Sequence, residues 1–179
     1  MIQNYSRWLV LRQFFDDPLG GFTIRQLSRN TGLAHTSIRL HLDALSKNAE
    51  EGYPLVMKSK GVSYPVYKSN MESGLFRFYK KMDTLFRIKE CGLVEKLREG
   101  LFPEVIILFG SASRGEDVAQ SDIDFFLLCK GKKINLKQYE KLLKREISLH
   151  FSDDFSKLPK ELRNNIANGV YLAGYLEIF

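Results

Sequence analysis

Residues 105–124 read VIILFGSASRGEDVAQSDID, and this stretch decides the fold of the second half of the chain. The apolar run at its start and the run over residues 123–129 each have the length and the boundaries of a buried strand. Between the runs lies a tight Gly-Ser turn, whose backbone N–H groups can meet a phosphate. Asp122 and Asp124 are two residues apart, so a strand places them on one face. The stretch therefore predicts a phosphate-binding turn beside two metal-binding carboxylates.

Two common phosphate-binding motifs do not fit this turn. Gly110 and Gly115 have the spacing that opens a P-loop, but Glu116 and Asp117 stand where Lys and Ser or Thr are needed. The chain has no G-x-G-x-x-G segment, so a dinucleotide-binding fold has no support. What remains is Gly-Ser, ten residues, and then Asp-x-Asp, with an apolar strand on each side.

This pattern resembles that of the minimal nucleotidyltransferases of the DNA polymerase β superfamily. The resemblance implies transfer of NMP from an NTP, with ATP as the expected donor. It implies that Asp122 and Asp124 are the catalytic residues and bind Mg²⁺ or Mn²⁺. It also implies that Gly110 and Ser111 contact the phosphates, and that Arg114 neutralises charge on the leaving pyrophosphate.

The sequence departs from this superfamily at one position. Members usually supply a third carboxylate from a later strand, for which residues 146–151 are the candidate. Ser148 and His150 occupy the face where that acid is expected, and Glu146 lies at the start of the strand. Two carboxylates are enough to hold a metal–nucleotide complex. Activation of the acceptor hydroxyl lacks its expected residue, so a non-catalytic domain is kept as an alternative.

Residues 1–70 are predicted to form three helices followed by a hairpin. Three segments carry apolar residues at helical spacing: residues 4–15, 24–30 and 35–47. Thr23 is the expected N-cap of the second helix. A short turn that contains Gly32 joins the second and third helices, as is typical of a helix-turn-helix. Residues 55–68 read as two strands around Gly61, which predicts a β-hairpin with a basic tip.

Three helices and a hairpin resemble the winged-helix family of DNA-binding domains. The resemblance implies that the third helix contacts base edges, the hairpin contacts phosphates or the minor groove, and the second helix contacts flanking phosphates. The residues expected to contact double-stranded DNA are Arg25, Arg29, Thr36, Ser37, Arg39, Lys58 and Lys60. His41 is expected on the same polar face of the third helix. Winged helices also act as protein-interaction modules, which is the alternative for this part.

The positive charge of the chain is unevenly distributed. Lys and Arg number 27 against 21 Asp and Glu, so the net charge is +6. Residues 1–70 contribute +4, residues 71–100 contribute +2, and residues 101–179 contribute no net charge. The excess therefore lies in the N-terminal part, which favours a nucleic-acid contact there over a merely solvated basic surface.

The whole chain is predicted to be an α+β protein in three parts. A winged helix-turn-helix occupies residues 1–70, connector helices occupy residues 71–100, and a small mixed-sheet α/β nucleotidyltransferase domain occupies residues 101–179. The connector has an amphipathic helix over residues 72–90, with an apolar stripe long enough to support a homodimer.

Several absences limit the classes of protein that fit. No apolar segment approaches the roughly 18 residues of a membrane span, and the N-terminus lacks a signal-peptide layout. Cys91 and Cys129 are the only cysteines, too few for a disulfide framework, so a reducing cytoplasm is expected. His35, His41 and His150 lack metal-ligand spacing and are expected to be surface or packing residues.

The combined prediction is a metal-dependent nucleotidyltransferase that moves NMP to an unidentified acceptor and carries a DNA-binding module. Stand-alone minimal nucleotidyltransferases of this motif act as antitoxins that modify a partner toxin, so the resemblance makes a protein acceptor credible. The alternative is a DNA-binding transcriptional regulator whose nucleotidyltransferase domain senses nucleotide without catalysis.

Overall fold

The computed structural model of the chain describes residues 5–47 and 54–176. The chain divides into two compact units, Met1–Lys80 and Lys81–Phe179. Each unit has its own hydrophobic core. Helices and two sheets are both present, which confirms the predicted α+β class.

The first unit begins with the three predicted helices. They are α1 (Ser6–Asp16), α2 (Ile24–Thr31) and α3 (His35–Ser46). Thr23 caps α2 as predicted: its hydroxyl accepts a hydrogen bond from the N–H of Gln26, and the Gln26 side chain accepts one from the N–H of Thr23. Gly32 ends α2 in the left-handed region, at φ 74°.

A three-stranded sheet completes the first unit. Its strands are β1 (Gly21–Phe22), β2 (Val56–Ser59) and β3 (Val66–Ser69), in the order β1-β3-β2. All the pairings are antiparallel, and β2 and β3 form the predicted hairpin. The core between sheet and helices contains Val10, Phe14, Leu27, Ile38 and Leu42, each fully buried.

His41 lies on the core side of α3, so its expected exposed position is wrong. It is 8% exposed, and its Nδ1 has no hydrogen-bond partner among the described residues. The physical reason is helical spacing, since His41 follows Ile38 by three residues and shares its buried face.

The buried His41 predicts a loss of stability in acid. Burial and the nearby Arg7 guanidinium lower the pKa of His41 below its ordinary value of 6.5. The unfolded chain therefore binds this proton more readily, so the free energy of unfolding falls as the pH drops below 6.5 and is unaffected above it. In His41→Gln this fall should shrink, whereas His35→Gln, on the exposed face of α3, should retain it. Urea unfolding at pH 7 and pH 5 measures the difference, and equal falls in all three proteins would contradict it.

The second unit contains a four-stranded mixed sheet. Its strands are β4 (Val105–Phe109), β5 (Ile123–Leu128), β6 (Ile147–Ser152) and β7 (Val170–Gly174). The order is β6-β5-β4-β7, with β5 and β6 parallel and the other pairs antiparallel. Its helices are α5 (Leu93–Leu101), α6 (Lys137–Leu143) and α7 (Lys160–Ala167). The long helix α4 (Gly74–Glu90) begins in the first unit and continues into the second.

The central strands of this sheet are covered on both faces. Phe125 and Leu127 pack into a cluster with residues of α5 and α6, whereas Phe126 packs on the opposite face with Ile166 of α7. All five residues of β4 are buried. A strand that is buried on both faces reads as a continuous apolar run, which explains why β4 and β5 were recognisable from sequence.

Within residues 5–47 and 54–176, no helix combines the length and the apolar character that crossing a bilayer requires. Cys91 and Cys129 are free thiols, and burial raises the pKa of both.

Candidate functional site

Asp124 lies at the centre of a row of residues that runs across three strands of the second unit. It pairs with Phe109 on β4 and with Ser148 on β6. Its side chain is 29% exposed, so the carboxylate is partly open to solvent. Asp122 precedes β5 by one residue and is exposed. Both predicted carboxylates are therefore accessible where β5 begins.

Gly110 directly follows β4 and lies under the Asp124 carboxylate. Its φ is 72°, a conformation that favours glycine. A Cβ at this position would stand 2.6 Å from Asp124 Oδ2. The carboxylate thus occupies the space that a side chain would need. From the sequence, Gly110 is expected to let the backbone approach a phosphate. The structure adds that the missing side chain of Gly110 leaves room for the Asp124 carboxylate.

The turn after Gly110 is held by its own hydrogen bonds. The Ser111 carbonyl accepts bonds from the N–H groups of Arg114 and Glu116, each at 3.0 Å. The Ser113 hydroxyl donates to the Gly110 carbonyl at 2.7 Å. Arg114 is exposed, and its Nε lies 2.7 Å from Glu116 Oε2. A phosphate that bound Arg114 would therefore compete with Glu116.

Ser148 and His150 face Asp124, as expected for the strand at residues 146–151. His150 Nε2 lies 3.3 Å from Asp124 Oδ1 and 3.3 Å from Ser148 Oγ. The imidazole packs edge-on against Phe109, with ring centroids 5.1 Å apart. Glu146 directly precedes β6, two residues before Ser148. Together with Asp122 it lines a cavity of about 500 Å³.

An ion pair between Asp117 and Arg145 lies next to the site and has no signature in the sequence. The side chains of Asp117 and Arg145 are only 6% and 8% exposed, and Arg145 Nε lies 4.0 Å from Asp117 Oδ2. The pair joins the loop that carries Asp122 to the residue before Glu146. The two residues are far apart in sequence, and no local pattern marks them as partners.

The carboxylates fit a metal ion that arrives with a nucleotide. Among the residues that the structure describes, no three or more His, Cys, Asp and Glu side chains are grouped closely enough to hold a metal ion by themselves. Mg²⁺ in phosphoryl-transfer sites is bound by one or two carboxylates together with substrate phosphates and water. Asp124, which lies against Gly110, and the exposed Asp122 are the two carboxylates that would take this part.

The comparison with protein families agrees with this geometry. Residues 93–174 match the family model described as "Polymerase beta, Nucleotidyltransferase". The match supports a nucleotidyltransferase domain and a nucleotidyltransferase-type activity, which implies binding of a nucleotide substrate and generally the use of a divalent metal ion. It runs from the first residue of α5 to the last residue of β7. No curated protein and no solved structure matches the chain.

The predicted DNA-contact residues lie on α2, α3 and β2 of the first unit, with Lys60 in the turn that follows β2. Ser37 is half-buried. The other six are exposed: Arg25, Arg29, Thr36, Arg39, Lys58 and Lys60. Arg25 of α2, Arg39 of α3 and Lys58 of β2 line one cavity of about 950 Å³. Tyr64 and Tyr67 of the hairpin contribute aromatic walls to it. The fold therefore brings three of the seven residues around one depression.

Proposed function

We propose that the protein is a metal-dependent nucleotidyltransferase that moves NMP, with ATP as the expected donor, to an acceptor hydroxyl. The observation that carries this proposal is the Asp124 carboxylate packed over Gly110 in the segment that matches the nucleotidyltransferase family model. A phosphate-binding turn and a carboxylate must be adjacent if both are to hold one metal–nucleotide complex.

Each residue of the site has a distinct proposed role. Asp122 and Asp124 hold Mg²⁺ or Mn²⁺, whose charge stabilises the triphosphate during transfer. Gly110 and Ser111 let the backbone approach the phosphates. Arg114 exchanges its Glu116 partner for the leaving pyrophosphate. The turn follows the end of β4 and the carboxylates lie at the start of β5, so two neighbouring strand ends would orient the triphosphate.

We propose further that the first unit is a winged helix-turn-helix that binds double-stranded DNA. Its three helices and antiparallel hairpin have the order of that family. Arg25, Arg39 and Lys58 line one depression, and residues 1–70 carry a net charge of +4. Such a cluster attracts the phosphate backbone.

The first unit leads to a prediction about DNA affinity. Arg39→Ala should weaken binding to duplex DNA about tenfold, and Lys58→Ala should reduce the slope of log affinity against log salt by about one. Fluorescence anisotropy from 50 to 200 mM salt measures both quantities. Lys132→Ala, which changes an exposed lysine of the second unit, is the matched control. Equal affinity and slope in all variants would contradict DNA binding through this surface.

A second candidate is a DNA-binding transcriptional regulator that senses nucleotide without catalysis. The observation in its favour is Ser148, which stands beside Asp124 on β6 where a third carboxylate is expected from the superfamily. Without that acid, the site can bind a metal–nucleotide complex and still fail to activate an acceptor.

Labelled nucleotides separate the two candidates. The protein is incubated with Mg²⁺ or Mn²⁺ and α-labelled ATP, GTP, CTP or UTP, alone and with cell lysate. Transfer of label to a protein, an RNA or a small molecule supports the enzyme. Nucleotide binding without any transfer, together with DNA affinity that changes with nucleotide, supports the regulator.

Two proposals concern the state of the protein in the cell. A homodimer through the apolar stripe of α4 is one: Phe78 of the stripe is 54% exposed, whereas Leu75 and Leu85 of the stripe pack against the cores of the first and second unit. Light scattering determines the mass in solution. A cytoplasmic location is the other, and the two free thiols are consistent with it.

A further inference from the structure

His150 places a ring nitrogen beside Asp124, and the roles proposed above leave this nitrogen unused. Its Nε2 lies 3.3 Å from Asp124 Oδ1. The side chain is 41% exposed, so an ion from solvent can reach the nitrogen. The ring packs edge-on against Phe109, with the ring planes at 72°.

The spacing of these atoms suits two ligands of one metal ion. Neighbouring ligands of an octahedral ion lie about 3 Å apart, because each bond to the ion is about 2.1 Å long. The observed separation of Asp124 Oδ1 and His150 Nε2 is 3.3 Å. Nε2 also faces Ser148 Oγ at 3.3 Å, so one nitrogen stands between two oxygen atoms. If Nε2 carries a hydrogen, it can donate one hydrogen bond, to only one of these two oxygen atoms. If Nε2 carries none, its lone pair can bind a cation that the Asp124 carboxylate also binds.

We propose that His150 Nε2 is a direct ligand of the metal ion held by Asp124, and that the site therefore favours a divalent transition-metal ion such as Mn²⁺ over Mg²⁺. The inference rests on the proposed function, since it concerns the same metal ion. Mg²⁺ takes oxygen ligands, whereas imidazole nitrogen favours transition metals. Ser148 leaves the neighbouring position without a carboxylate, so the imidazole supplies a ligand there.

The remaining coordination positions belong to the other groups of the site. Phosphate oxygens and water occupy these positions and complete the shell of this ion. Asp124 and His150 are two protein ligands, which agrees with the finding that no three such side chains within the described residues form a metal site by themselves. The ion is therefore expected to bind more tightly when a polyphosphate is present.

The test is Mn²⁺ added to the full chain, with and without inorganic triphosphate, followed by pulsed electron paramagnetic resonance. This method detects a ¹⁴N nucleus bound to Mn²⁺, and inorganic triphosphate brings no nitrogen of its own. The wild type should show the ¹⁴N coupling, His150→Ala should lose it, and His35→Gln should retain it. Calorimetry should show that His150→Ala weakens Mn²⁺ binding about tenfold and Mg²⁺ binding about twofold at most.

The outcomes separate this inference from the proposed function. Bound Mn²⁺ without ¹⁴N coupling in the wild type overturns the assignment of His150 and leaves nucleotidyl transfer untouched. The ¹⁴N coupling without any transfer of label supports His150 as a ligand and counts against the enzyme. Failure of Mn²⁺ to bind the wild type, even with triphosphate, overturns both. The wild-type spectrum decides the question should His150→Ala fail to fold, as judged by circular dichroism.

Discussion

Replacement of Asp124 with asparagine is expected to lower nucleotidyl transfer about a hundredfold or more. Asparagine has nearly the same shape as aspartate, so the row from Phe109 to Ser148 should remain intact. What is lost is the negative charge, and a neutral amide holds a divalent cation far more weakly than a carboxylate does. Transfer of label from α-labelled ATP, measured with Mg²⁺ and with Mn²⁺, gives the comparison.

The control for this variant is Glu161→Gln, which removes an exposed carboxylate on α7 by the same isosteric change. Transfer by Glu161→Gln should equal that of the wild type. Thermal unfolding should show all three proteins folded, since the Asp124 side chain is 29% exposed and is not a core residue. An Asp124→Asn protein that keeps wild-type transfer would show that the site lies elsewhere.

The sequence was sufficient to predict the elements that depend on local patterns. The apolar run of β4, and that of β5 after Asp124, is continuous because both faces of these segments are covered, and the prediction of buried strands followed directly. The start of α2 was predictable because Thr23 and Gln26 form a capping box within four residues. These features require no knowledge of the rest of the chain.

Contacts that depend on strand order were beyond the reach of the sequence. His150 reaches Asp124 because β6 pairs in parallel with β5, in a register that sets Ser148 beside Asp124. The sequence placed His150 on the correct face but gave no distance to the acid. Asp117 and Arg145 approach each other only after α6 returns the chain to the sheet. The burial of His41, in contrast, was predictable from the sequence, because His41 follows Ile38 by three residues and so shares its helix face. It was assigned to the exposed face because the residue is polar.

Gly110→Ala is expected to destabilise the second unit and to abolish tight nucleotide binding. The left-handed φ of 72° costs a residue with a Cβ about 1–2 kcal/mol. The new methyl group would also stand 2.6 Å from Asp124 Oδ2, a distance that forces the carboxylate to move. If Asp124 holds the metal ion as proposed, a displacement of its carboxylate by about 1 Å is enough to lower transfer about a hundredfold.

Gly92→Ala separates the two effects, because it has the strain without the collision. Gly92 has a φ of 77°, and a Cβ there would meet no atom within 4 Å. Gly92→Ala should therefore lose about 1–2 kcal/mol of unfolding free energy, the cost of the left-handed conformation, and Gly110→Ala should lose at least as much. Only Gly110→Ala should also lose Mn²⁺-dependent ATP binding and label transfer. If Gly92→Ala lost nucleotide binding to the same degree, the loss would follow from strain and destabilisation. That result would contradict the prediction that nucleotide binding depends on the position of the Asp124 carboxylate over Gly110.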